Sequence, residues 1–170
     1  LNEGDLLFMP VLLPGASLTQ VMEVMRKQDI ILKDFPEVRD VVGKLGRAET
    51  PLDPAPISMI ETIIQLKPKA AWRPGMTLQK LIQELDRTVD IPGVTNAWVM
   101  PIKTRIDMLA TGIKTPVGIK VAGPDLAVIQ DLGRSIEEIL GDVPGTASVF
   151  SERVAGGRYI TVDIQRDRAA

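Results

Sequence analysis

The sequence predicts an α+β chain of tandem ferredoxin-like (βαββαβ) units, the first complete and the second truncated. Three observations predict it. A pattern of helix start, amphipathic run and proline stop occurs three times, and strand-like runs flank each helical run. The resulting order is βαβ–βαβ over residues 1–101 and βαβ–β over residues 117–164. A βαββαβ string is the split motif of an antiparallel four-stranded sheet with two helices on one face.

In chain order, residues 5–13 read as a strand that contains Met9 and Pro10. Ser17 is placed to cap the first helix, its hydroxyl accepting from backbone N–H groups that have no partner within the helix. Leu18, Val21, Met22, Met25 and Ile30, with Ile31 and Leu32, give the apolar stripe, and Pro36 stops continuation. Residues 38–45 form the next strand. A loop at 49–57 holds Pro51, Pro54 and Pro56, with Asp53 as a turn former. Residues 58–67 alternate over part of their length and read as a strand. Trp72, in the loop that follows, is expected to cover the sheet edge or the start of the second helix. That helix is capped by Thr77, carries Leu78, Leu81, Ile82 and Leu85, and ends before Pro92; residues 96–100 follow as a strand.

Residues 105–116 read as a polar connector holding Met108 between Arg105, Asp107 and Lys114. Beyond it, 117–121 reads as a strand. Asp125 caps a third helix with Leu126, Ile129, Leu132, Ile136, Ile139 and Leu140 on its stripe and Pro144 after it. Strands are expected at 147–153 and, after a Gly156–Gly157 turn, at 158–164. From the leucine after each cap to the proline the three repeats span 18, 14 and 18 residues, so the middle helix is about one turn shorter.

Composition narrows the chemistry. The chain has 170 residues, 45% of them hydrophobic, which is enough for a core. Charge is nearly balanced, 20 Lys and Arg against 22 Asp and Glu, which argues against a nucleic-acid partner. There is no Cys and no His, so disulfides, thiolate sites, histidine ligands and the commonest general base are all excluded. No nucleophile, base and oxyanion site occur together, and there is no phosphate-loop pattern around Gly112 and Gly118. Glu137 and Glu138 read as a solvated helix face. No apolar run reaches the ~18–20 residues that span a bilayer, and no basic-then-apolar leader opens the chain. Leu1 is not a methionine and 166–170 reads as the opening of a helix, so the expectation is a piece of a longer chain.

Seven methionines stand in this chain. Thioethers are soft ligands that select Cu(I) and, by the same softness, Ag(I); otherwise methionines fill gaps in cores. Met22 and Met25 read as core on the first helix, Met76 as structural or exposed at a helix start, and Met100 as structural. Met9, before Pro10, Met59, two residues from Glu61 on the same strand face, and Met108, in the connector, differ in context. Spacing alone does not bring these three together.

Several motifs together resemble one family. They are Leu1 to Met9 with Pro14 and Gly15, Gly46 to Thr50, Met59 to Thr62, Gln65 to Pro68 with Trp72 to Gly75, and Glu84 to Asp86. Arg105 to Lys114, Gly118 to Val121 and Gly156 to Ile160 complete the set. Over essentially the whole chain they resemble the heavy-metal efflux RND transporters, and within these the copper/silver exporter branch. The resemblance implies a periplasmic loop of a bacterial inner-membrane, proton-driven pump. Residues 1–101 would be the first C-terminal porter subdomain, 102–154 the first part of the second, and 155–170 the start of a docking-domain segment.

It further implies that Met9, Met59 and Met108 form a three-methionine site for Cu(I) or Ag(I) in a cleft between the subdomains. Glu61, Arg105 and Lys114 would be supporting residues, and the metal would be transported substrate rather than cofactor. The implied partners are two further copies in a homotrimer, a periplasmic membrane-fusion adaptor and an outer-membrane channel. Met100 departs from the pattern, where a proline is expected. The competing reading is a soluble ferredoxin-like module that senses a ligand.

Overall fold

A computed structural model describes residues 3–46, 55–113, 115, 117–146, 149–152 and 160–169. The chain forms two compact units, Leu1–Ala122 and Gly123–Ala170.

The first unit is built on a four-stranded antiparallel sheet. Its strands are β1 (Leu6–Phe8), β3 (Val38–Leu45), β4 (Ile60–Leu66) and β6 (Trp98–Val99), in the order β3-β4-β1-β6. With α1 (Leu18–Lys33) after β1 and α2 (Leu78–Thr88) after β4, this is the order of the split βαββαβ motif. The run at 5–13 is not one strand. Pro10 has no N–H to give a ladder, and the chain leaves the sheet there. It resumes as β2 (Val11–Leu12), which pairs with β5 (Val94–Thr95) in a second, two-stranded sheet.

Alternation decides what each sheet face meets. Along β4 the even positions Ile60, Thr62, Ile64 and Leu66 are buried. Ile64 and Leu66, with Leu6 and Phe8, pack against Leu32 of α1 and Leu81 and Leu85 of α2 in the main core. Phe8 stacks on Trp98 with ring centroids 4.3 Å apart. Trp72 packs against this core and its indole N–H donates to the Lys67 carbonyl at 2.7 Å. The odd positions of β1 and β4 face the other way.

Each expected helix forms with its expected cap. Ser17 accepts from the Gln20 N–H, Thr77 from the Lys80 N–H, and Asp125 from the Ala127 and Val128 N–H groups. The middle helix is the short one, 11 residues against 16 for α1 and 16 for the helix after Asp125. The buried face of α1 is rotated from the expected stripe. It runs through Val21, Gln28 and Leu32, with Val24, Met25 and Ile31 packed alongside, while Leu18, Met22 and Ile30 are at least half exposed. Met22 is therefore not core, although Met25 packs as expected. A buried polar pair causes the rotation. Gln28 donates to the Thr62 hydroxyl at 3.0 Å, and that hydroxyl donates to Asp29 at 3.2 Å. This polar contact between helix and sheet holds a helix register that apolar counting misses. Burial pushes the Asp29 carboxyl above its ordinary range.

Helix α1 lies so close to β3 that a Cβ on Gly43 would stand 2.4 Å from an Asp29 carboxylate oxygen and 2.9 Å from Met25 Cγ. Gly43→Ala is expected to destabilise the first unit by about 1–3 kcal/mol through overpacking. Denaturant unfolding followed by tryptophan fluorescence checks this, because both tryptophans, Trp72 and Trp98, lie in that unit.

The connector expected at 105–116 is mostly helix. α3 spans Pro101–Thr111. Pro101 sits at its start, where the missing N–H costs nothing. The Glu3 carboxylate accepts from the Ile102 and Lys103 N–H groups at 2.9–3.1 Å. Gly112, at φ 73° and ψ 11°, ends the helix in the left-handed region and donates to the Met108 carbonyl at 2.8 Å.

The second unit contains α4 (Leu126–Gly141) and the single-turn α5 (Arg166–Ala169). α4 buries none of its residues. The strands expected at 117–121 and, within 158–164, at the described positions 160–164 do not form, nor do 149–152. Among the described residues no neighbouring strand accepts their hydrogen bonds, and a strand is stable only when paired. The Gly156–Gly157 turn, Asp53 and Lys114 lie outside the described residues.

Candidate functional site

On the sheet face away from α1 and α2, Leu7, Met9, Ala55 and Met59 form a separate buried cluster. Val11, Ala97, Val99 and Met108 pack against it. The three methionines singled out from the sequence thus meet in one place, inside the first compact unit. Each arrives by a different device. Met9 follows β1, fully buried, and its N–H donates to the Ala97 carbonyl at 2.9 Å. Met59 bridges to Val11 just ahead of β4 and is 9% exposed. Its neighbour Ile60 donates to the Pro10 carbonyl at 3.2 Å, which ties the Met9–Pro10 step to the Met59–Ile60 step. Met108 stands half-buried on α3.

Met108 therefore has a core to fill, contrary to its polar setting in the sequence. Helical geometry turns Arg105 outward, where it is exposed, and leaves Met108 toward the cluster. Asp107 is held by Lys103 one turn earlier at 2.5 Å. Met100 immediately precedes α3 without a side-chain capping bond and stays outside the cluster.

Glu61 lies two residues beyond Met59 on the same face of β4. Its carboxylate pairs with Lys44 of β3 at 3.0 Å. Lys44 was not singled out from the sequence. Only the strand register, which sets Lys44 opposite Glu61, brings it there. Glu3, which anchors α3 and so holds Met108 in place, was missed for a similar reason. It acts on backbone about 100 positions away, at Ile102 and Lys103.

Chemically, the cluster offers three neutral, polarisable thioethers in apolar surroundings, while the nearby carboxylates Glu61 and Asp107 are paired with Lys44 and Lys103. Among the described residues no group of three or more Asp or Glu side chains is placed to hold a hard ion. Such a donor set suits a soft monovalent cation over Mg(II), Ca(II) or Zn(II).

The fold is one found within heavy-metal efflux pumps. The structure superposes on a crystal structure of a heavy-metal efflux pump with a TM-score of 0.88 at 28% identity, covering 98% of this chain and 18% of that one. A second crystal form of a heavy-metal efflux pump matches with a TM-score of 0.82 over 87% of this chain.

The chain belongs to the AcrB/AcrD/AcrF family, whose sequence profile matches residues 1–170. It is 55% identical over its whole length to the cation efflux system protein CusA of Escherichia coli (strain K12). It is 54% identical to the putative cation efflux system protein SilA of Salmonella typhimurium and 32% identical to the cobalt-zinc-cadmium resistance protein CzcA of Cupriavidus metallidurans. The chain spans 16% of the length of each of these relatives. No helix among the described residues is long and apolar enough to cross a membrane.

Proposed function

We propose that this chain is the periplasmic porter part of a proton-driven RND pump that exports Cu(I) or Ag(I), with Met9, Met59 and Met108 as the substrate site. The observation that carries the reading is the meeting of these three thioethers in one apolar cluster on the α3 side of the sheet. The similarity to CusA and SilA over the full chain supports it. In this reading residues 1–101 belong to the first C-terminal porter subdomain, 102–154 to the start of the second and 155–170 to a docking-domain segment. The whole pump is a homotrimer in the bacterial inner membrane, working with a membrane-fusion adaptor and an outer-membrane channel.

The metal is cargo and must be released as well as bound. Met9 and Met59 are fixed by the sheet, whereas Met108 rides on a separate helix whose N-terminus is anchored by Glu3. Movement of α3 away from the sheet would remove one sulfur and weaken the site, and return would complete it. Proton flow through the membrane part of the pump would drive that cycle.

Titration of the chain with Ag(I) and with Zn(II), followed by methionine methyl NMR, tests the assignment. Ag(I) is expected to shift three methyl resonances, those of Met9, Met59 and Met108, while Zn(II) leaves them in place. A preference for Zn(II), or Ag(I) shifts confined to the exposed Met22, would sink it.

A further inference from the structure

The carboxylate two residues from Met59 on its strand face is held by a partner that the metal reading does not require. Glu61 is 19% exposed and pairs with the 40%-exposed Lys44 at 3.0 Å. The two are directly opposite in the β3–β4 ladder, so the pairing is set by register. Two residues of extended chain separate the Cα atoms of Met59 and Glu61 by about 7 Å. A glutamate arm at that distance and on that face can turn along the strand toward the Met59 sulfur or across it toward Lys44. In this structure it turns across.

Resting on the soft-metal reading above, we propose that Lys44 is a selectivity residue. By engaging Glu61 it keeps a hard carboxylate out of the set formed by Met9, Met59 and Met108. A site of thioethers alone is neutral and soft, and it binds divalent ions poorly. Adding one carboxylate supplies an oxygen ligand of the kind Zn(II) accepts and a negative charge that favours a divalent ion. Ag(I) gains much less from that oxygen. Lys44 therefore acts through Glu61 and touches no metal.

The test measures Ag(I) and Zn(II) dissociation constants for the 170-residue chain and for Lys44→Gln, Lys44→Arg, Glu61→Gln and the double variant Lys44→Gln/Glu61→Gln. Tryptophan fluorescence melting accompanies each, to establish that the first unit stays folded. Lys44→Gln is expected to tighten Zn(II) on the order of tenfold while Ag(I) changes by less than about threefold. Lys44→Arg, which keeps the pair, and the double variant, which removes the carboxylate, are expected to bind Zn(II) as the parent chain does. If Lys44→Gln lowers only the melting temperature and leaves the Zn(II) to Ag(I) ratio unchanged, the pair is purely structural and the proposal fails. It fails equally if tighter Zn(II) binding persists in the double variant. Absence of Ag(I) binding by the parent chain is a different result, since it overturns the soft-metal reading itself.

Discussion

Replacing Met9, Met59 or Met108 by Ile is expected to lower the Ag(I) affinity of this chain on the order of 100-fold in each case, or about 2.7 kcal/mol. Each change removes one of three soft donors and leaves an apolar side chain of similar size. Isoleucine is chosen because volume-conserving swaps in a core cost less than about 1.5 kcal/mol, whereas truncation of a buried methionine to Ala costs about 2–5 kcal/mol and confuses ligation with collapse. The cost to folding is expected to be largest for Met9, which is fully buried, and smallest for the half-buried Met108. Thioethers carry no proton to lose, so affinity in the parent chain is expected to stay flat from about pH 5 to about pH 8, because metal binding is linked to pH only through protonation of the ligands. Isothermal titration of the three variants, and of the parent chain across that pH range, checks both points. Unchanged Ag(I) affinity in all three would remove the site.

The second large effect concerns stability. Glu37, at the start of β3, is fully buried, and the Arg73 guanidinium grips it through two bonds of 2.6 and 3.0 Å. The Arg73 backbone N–H adds a third at 3.2 Å, and the same guanidinium reaches Glu84 of α2 at 2.7 Å. Arg73 thereby fastens the loop before α2 to both the sheet and the helix. Arg73→Met strands a carboxylate in the interior. Leaving a buried carboxylate without its partner is destabilising, and solvent around the 41%-exposed Arg73 moderates the loss. The expected fall in Tm is roughly 10 °C.

The pH dependence follows from sign. Arg73 holds the Glu37 carboxyl below its ordinary range. A folded-state value below the unfolded one gives stability that is present above the ordinary glutamate pKa and lost as pH falls through the folded value. The gap between parent and variant is therefore expected to be widest near pH 7 and to shrink toward pH 3. Asp29, pushed up by burial, contributes in the opposite sense, losing its contribution as pH rises through its folded value. It is common to both proteins and cancels in the difference. Melting followed by Trp72 and Trp98 fluorescence checks this, and a gap of equal size at both pH values would refute it.

The helix caps, the lengths of the helices and the order of strands in the first unit were legible in the sequence because each is a local matter. Ser17, Thr77 and Asp125 satisfy N–H groups within three residues of themselves, and alternation along β4 is visible without knowing its neighbours. The register of α1 was not legible, because the buried Gln28 is allowed only by Thr62, 34 residues away. Nor was α3, whose start is capped by Glu3 from the far end of the unit. The strands expected at 117–121 and 160–164 had the right composition and no paired neighbour among the described residues, and composition cannot supply one.

The sequence by itself determined which chemistry this chain can offer. With no Cys and no His, only methionine remained as a soft donor, and the family motifs picked out Met9, Met59 and Met108. Only the tertiary structure decided that the three share one cluster, that Met108 is presented from a helix rather than a loop, and that Lys44 holds Glu61 beside them. The reason is physical. A side chain's softness travels with the residue, whereas its neighbours depend on strand register and helix rotation, and these are fixed by contacts many tens of residues apart.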